Sequence, residues 1–305
     1  MELVDRSGFE KLPKEEKCNN EVIRPSMTYW QDAWRRLKKN KMAMLGMYLL
    51  IAIILIAILG PIVSPYNYSD QSLTAANRPP TKVHPFGMDN LGRDLMTRVF
   101  YGARISLSIG FIVALCTIFI GIIYGGIAGY VGGTTDNIMM RIVDVLYVIP
   151  STLYVILLML IIGSGFKSVI VALGATSWLG MARQVRGQVL SLKEQDFVLA
   201  VKALGADSKR ILLKHLIPNS IGQIIVMTTM EIPSAIFSEA FLSFIGLGVS
   251  APQASWGVLC NDALPTLRTA PHELLFPALA ITLTMLAFSF FGDGLRDALD
   301  PKMRK

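Results

Sequence analysis

Residues 105–131, ISLSIGFIVALCTIFIGIIYGGIAGYV, run for 27 positions without a charged side chain. A helix needs about 20 apolar residues to cross about 30 Å of hydrocarbon, so this run exceeds the requirement by itself. Working outward, Met42–Val63, Val145–Ile162 and Leu274–Gly292 are also free of charge. Two further runs are interrupted. Ser168–Ala182 is short before Arg183 and Arg186 arrive, and Ser220–Gly246 contains Glu231 and Glu239. In a chain of 305 residues, 52% hydrophobic and 17% charged, the reading is an all-α polytopic membrane protein with six transmembrane helices.

The distribution of Lys and Arg tests that count, because basic loops accumulate on the cytoplasmic side. With the N-terminus inside, 22 of the 29 basic residues fall inside: in the tail up to Lys41, at Arg141, between Arg183 and Lys214, and after Gly292. Outside lie Arg78, Lys82, Arg93, Arg98, Arg104, Lys167 and Arg268. The net charge of +7 therefore reads as topology, not as nucleic-acid binding. The expected organisation is a cytosolic tail over 1–27, an interfacial amphipathic helix over 28–41, a six-span domain over 42–292 and a cytosolic tail over 293–305. Loops over 64–101 and 247–272 lie outside, and one over 193–218 lies inside. The N-tail is too long and too acidic for a secretory signal, so the first span is read as an anchor that stays. Within YWQDAWRRLKKNK, Trp30, Trp34 and Leu37 fall at i, i+4, i+7, with basic residues on the other faces, as in a helix lying at the membrane surface. An ordinary basic flank is the alternative.

Catalytic constellations are missing. His272-Glu273 begins an HExxH pattern, but position 276 is Phe, and one imidazole cannot supply paired zinc ligands. Gly163–Ser168 lacks the glycine spacing of a phosphate loop, and Gly292-Asp293-Gly294 has the wrong order for an intramembrane aspartyl protease. Cys18, Cys116 and Cys260 fall in a tail, a span and an outer loop, which excludes a disulfide framework or metal knuckle. Glu231 and Glu239 remain. Ionisable groups at membrane depth cost about 2.5–3.5 kcal/mol on insertion scales, so both should face the bundle interior or a wet cavity. Together with Pro233, read as a kink, they form a candidate translocation path; a hydrogen-bonded helix contact is the alternative. Asp89/Arg93, Asp94/Arg98 and Arg141/Asp144 are spaced for local ion pairs.

The second informative stretch is 196–219, DFVLAVKALGADSKRILLKHLIPN. At helical spacing Phe197, Ala200, Val201 and Leu204 share a face. Gly205 then suits a left-handed C-terminal position, and Asp207-Ser208 offers caps for a second helix carrying Ile211, Leu212, His215 and Leu216. Pro218 is expected to stop that helix before the fifth span. The product is a helix, a tight turn and a helix on the inner face, too apolar to be a solvated loop. Its apolar face packs either on this chain's own spans or on a cytoplasmic partner.

This stretch resembles the cytoplasmic loop of permeases of binding-protein-dependent ABC importers, whose pattern is Glu-Ala-Ala, three residues, Gly, nine residues, Ile-x-Leu-Pro. Here the register gives Leu199-Ala200-Val201, Gly205 and His215-Leu216-Ile217-Pro218. The small residue, glycine and proline match; the glutamate, second alanine, isoleucine and leucine are replaced. Five blocks in the same order resemble the C-type permease of dipeptide and oligopeptide importers: HPFGMDNLGRDLMTRVFYGARISL, MRIVDVLYVIP, WLGMARQVRGQVLSLKEQDFV, SEAFLSFIGLGVSAPQASWG and GDGLRDALDPKMR. With the interfacial helix and the long outer loop, which also fit, the resemblance covers about residues 28–304.

The resemblance implies a type I ABC importer permease, half of a pore completed by a homologous second permease in a bacterial inner or plasma membrane. Two cytoplasmic ATPase subunits would hold the ATP and Mg, no cofactor being bound by this chain, and an extracytoplasmic binding protein would deliver the peptide. Asp196, Phe197, Ala200, Val201, Leu204, Gly205, Ala206, Ile211, His215 and Pro218 would form the element that couples to an ATPase. Nickel or another small solute in the same architecture stays open as an alternative, as does, from another class, a channel or scaffold without an ATPase.

Overall fold

The computed structural model describes residues 28–300 and is helical throughout, with one isolated bridge between Met88 and Asp94 among the described residues. The expected tail over 1–27, with Cys18, and residues 301–305 lie outside the described residues. The order is α1 (Tyr29–Lys39), α2 (Lys41–Val63), a 3₁₀ turn (Leu73–Ala75), α3 (Leu95–Val131), α4 (Gly133–Val148), α5 (Ser151–Ile162) and α6 (Phe166–Lys193). Then come α7 (Asp196–Ala203), α8 (Ser208–Ile211), a π-helical segment (Leu212–Leu216), α9 (Ile217–Phe244), α10 (Trp256–Asp262) and α11 (His272–Leu299).

The six expected passages fall on α2, α3, α4 with α5, α6, α9 and α11. One end carries α1, α7 and α8; the other carries the long connections 64–94 and 245–271. Four continuous helical stretches are long and apolar enough to cross a membrane, Lys41–Val63, Leu95–Val131, Ser208–Phe244 and His272–Leu299, and the pair α4 and α5 makes a fifth if counted as one span. The sixth passage, α6, is long enough but carries Arg183, Arg186 and Lys193 in its second half. It is sheltered against α3, where glycines let the backbones touch. A Cβ on Gly125 would run into the Ala182 carbonyl, and one on Gly129 would lie 2.8 Å from the Arg186 oxygen. Small residues four apart on one face bring membrane helices together without a hydrophobic driving force between them.

Several expected boundaries change. The third span, read as Val145–Ile162, is two half-helices bent by 83°. Pro150 causes the break. A residue before proline is pushed out of the α region, and Ile149 is extended at φ −82°, ψ 129°. The second span begins ten residues earlier than expected, at Leu95, capped by Asp94 accepting from the Thr97 amide, so the loop expected over 64–101 ends at Asp94. The last helix runs on through Asp293 to Leu299, into the expected tail. The expected surface helix forms as α1 behind a capping box at Thr28 and Gln31, but its stripe divides. Leu37 and Ala33 are buried in the fold, while Trp30 and Trp34 stay exposed.

Candidate functional site

Helix α7 ends in a Schellman motif: the Ala206 amide donates to the Val201 carbonyl and the Gly205 amide to the Lys202 carbonyl. That closure needs a left-handed residue, and Gly205 supplies it at φ +81°. Asp207 occupies the N-cap position of α8, although its side chain makes no capping bond. Val198, Ile211 and Leu216 are buried with Met181, Val185, Val189 and Ile224, so the pair is fastened to α6 and α9. Phe197, Val201 and Ala206 pack partly against the same cluster.

The expected face therefore splits. Val198, which the helical reading left out, is the buried residue of α7, whereas Ala200 is exposed and Leu204 is 87% exposed. Leu199 and Leu213 are exposed as well. Nothing lies within 4 Å of where a Gly205 Cβ would stand, so this rim is open. The exposed side of α7 thus carries Leu199 and Leu204 beside the charged Asp196 and Lys202.

Pro218 does not stop the second helix. Residues 208–244 are helical without a gap, because the turns at Leu212–Leu216 widen: the Ile217 amide donates to the Leu212 carbonyl, five residues back. Widening makes room where the Pro218 ring would press on a preceding carbonyl. Two carbonyls next to the joint are satisfied by side chains, His215 by Asn219 Nδ2 at 2.6 Å and Leu216 by Ser220 Oγ at 2.9 Å. The segment α7–α8 thus continues into α9 as one piece.

The bend at Pro150 opens a cavity of about 660 Å³ between the half-helices, α6 and α9. Glu231 lines it from the middle of α9; Pro233 and Glu239 do not. Pro233 is buried within a helix that stays continuous through it. Glu239 is fully buried and both carboxylate oxygens are engaged: Ser106 donates to Oε2 at 3.1 Å and Ser243 to Oε1 at 2.6 Å. Ser106 in turn accepts from the Trp256 amide, and the Trp256 indole donates to the Val99 carbonyl, so Glu239 ties α9 to α3 and α10.

At the end bearing the long connections, two loops are joined by buried ions. Asp89 accepts from the amides of Leu91 and Arg93 and from Arg93 Nε at 2.6 Å, the local pair expected from spacing. The expected Asp94–Arg98 pair is not made. Asp94 accepts from Thr97 and lies 2.9 Å from His84 Nδ1, while Arg98 reaches Asp89 at 3.4 Å and Asp262 at 3.5 Å. Nor does Arg141 hold Asp144, which Arg183 of α6 binds at 2.7 Å; Arg186 forks onto Asp136 beside it. Arg98 and Asp144 thus find partners far along the chain in place of the neighbour that spacing suggested, while Asp94 turns to Thr97 and His84 within ten residues. Asp262 and Arg183 carried no local signal of these roles.

The family model described as binding-protein-dependent transport system inner membrane component matches residues 118–305. The model for the N-terminal transmembrane domain of oligopeptide transport permease C matches residues 28–80. The dipeptide transport system permease protein DppC of Bacillus subtilis (strain 168) is 56% identical over 285 residues, covering 93% of this chain and 89% of its own length. The oligopeptide transport system permease protein OppC of the same strain is 48% identical over the full length of both chains. Among solved structures, a chain of the inward-facing MetNI methionine ABC transporter superposes with a TM-score of 0.52 at 21% identity, covering 68% of this chain and 98% of that one. This last likeness supports the fold.

Proposed function

The chain belongs to the family of binding-protein-dependent transport system inner membrane components, and from that premise we propose that it is the C-type permease of an importer of dipeptides or oligopeptides. It is a transport subunit and not itself an enzyme. The ATP and Mg are held by two partner ATPases, the other half of the pore is a homologous permease, and a binding protein delivers the peptide. Support for peptides comes from the two Bacillus permeases, named for dipeptide and oligopeptide transport. The helix-pair end faces the cytoplasm of a bacterial cell, together with both termini, a reading supported by the bias of basic residues to that end.

One observation carries the coupling role: the helix pair is fixed to its own spans through Val198, Ile211 and Leu216 yet presents Leu199, Leu204 and Gly205 uncovered. A partner groove that takes this rim would move α7–α8, and the widened but unbroken joint passes the movement into α9 and hence to Glu231. Switching a two-state pore from 1:99 to 99:1 takes about 5.5 kcal/mol of differential binding, within reach of a partner that changes shape with ATP.

Gly205→Arg tests this. The side chain meets empty space within this chain, and the positive φ costs on the order of 1 kcal/mol, so membrane insertion and pairing with the second permease are expected to survive. Peptide uptake is expected to be lost, along with ATPase subunits in the purified complex. Wild-type uptake by this variant would sink the coupling role.

A further inference from the structure

We infer that the cavity at the Pro150 bend is a contact site for a cationic group of the cargo, and that the Glu231 carboxylate receives the α-ammonium of a passing peptide. The inference rests on the peptide-importer reading and deepens it. Three features of the cavity converge.

The first is an unengaged charge. Glu231 stands at the midpoint of α9, roughly 20 Å from either end at 1.5 Å per residue, the depth where an ionisable group is most costly. No hydrogen bond or ion pair among the described residues engages its carboxylate, in contrast to Glu239 on the same helix. Three of the lining hydroxyls donate elsewhere: Thr176 and Ser177 to the Leu173 carbonyl, Ser238 to that of Ser234.

The second is the sign of the lining. Among the described residues Glu231 is the one acidic side chain on the cavity wall, and no Lys, Arg or His lines it. The Arg183 guanidinium, over the ring of the lining residue Tyr147 at 4.3 Å, is turned to Asp144. The third is the aromatic content: Tyr154, Phe237 and Phe241 also line the space. A carboxylate among aromatic faces attracts an ammonium through both charge and ring quadrupole, and has nothing to offer an anion. The volume lies within the roughly 300–1,000 Å³ of small-ligand sites. The contact would be transient, since a transport site must release what it takes.

The experiment is ATP-driven uptake in proteoliposomes by the complete transporter, with its partner subunits and binding protein. The substrate is one neutral short peptide in two forms, with a free amino terminus and N-acetylated. Wild type, Glu231→Gln and Glu231→Asp are compared, each by the ratio of turnover for the two forms, so that a loss of assembled complex cancels. Losing one charge-assisted hydrogen bond predicts that Glu231→Gln lowers the ratio of free to acetylated turnover by about ten-fold or more, with Glu231→Asp recovering part of it. An unchanged ratio overturns the inference, whether both forms keep their rates or lose them together. A joint loss would mean that Glu231 instead holds a basic side chain of the second permease. Failure of the wild type to take up either form would remove the peptide reading itself, which is a different result from uptake with an unchanged ratio.

Discussion

The two ends of the molecule are finished differently. Where the long connections meet, Asp89, Arg93, Arg98 and Asp262 close on one another, and Glu239 joins α9 to α3 and α10 through Ser106, Ser243 and Trp256. At the helix-pair end, Leu199, Leu204 and Leu213 stand uncovered around a turn where a Cβ on Gly205 would meet nothing within 4 Å. The same contrast recurs inside α9, where Glu239 has every oxygen engaged and Glu231 has none. A chain completes within itself what must stay rigid. On the proposed coupling and cargo roles, what it leaves open is what other molecules complete.

If that contrast is right, substitutions at the finished end should cost stability, and those at the open end should cost function alone. The largest stability loss is expected from Asp89→Ala. It removes the acceptor that Arg93 Nε and two amides share and leaves Arg93 and Arg98 with Asp262 alone, at 3.4 and 3.5 Å. Stripping one partner from a buried ion pair costs about 3–5 kcal/mol. The measurement is unfolding of the purified complex in detergent; a loss below about 1 kcal/mol, the range of surface ion pairs, would mean that the cluster does not brace this end. Glu239→Ala comes next. It strands the Ser106 and Ser243 hydroxyls, at about 1–3 kcal/mol for unsatisfied buried groups, and Glu239→Gln should recover much of this because an amide oxygen still accepts. Equal damage from both would show that the charge, not the acceptor, is what the site needs.

How far this was legible in the sequence follows the same division. Apolar runs made the polytopic membrane fold and four or five of the expected spans legible, since a span needs only length and composition to be recognised. Gly205 was legible because a left-handed turn leaves few other choices. Ion pairs were read from spacing, and spacing finds only local partners. Asp94 and Arg98, four residues apart, turned to His84 and to Asp89 with Asp262, and Asp144 turned to Arg183 thirty-nine residues away. The bend was within reach: Ile149-Pro150 sits inside Val145–Ile162, and an extended residue before proline is a known way to break a helix. Counting charges overlooked it. The buried face of α7 was read one residue out of place: Phe197, Ala200, Val201 and Leu204 were grouped, whereas Val198 is buried and Ala200 and Leu204 are exposed, apolar residues occupying both sides of a helix this short.

The smallest stability effect is expected on that same helix, where opposite faces supply their own control. Leu204 is 87% exposed and its amide, not its side chain, is what holds it, donating to the Ala200 carbonyl, so Leu204→Ser should shift unfolding by no more than about 0.5 kcal/mol. Val198 is 3% exposed, six residues earlier, and Val198→Ser should destabilise the chain itself by burying a hydroxyl without a partner. Burying a leucine side chain in a partner groove is worth about 1.5–3 kcal/mol, so Leu204→Ser should weaken association with the ATPase subunits by roughly 10- to 100-fold at unchanged stability. Pull-down of the ATPases at graded concentrations reads the first quantity, and unfolding in detergent reads the second. If association falls only when stability falls, as Val198→Ser would produce, the open rim is lipid-facing surface and the contrast between the two ends is one of packing alone. If association falls while stability holds, the incomplete end is incomplete because a partner finishes it.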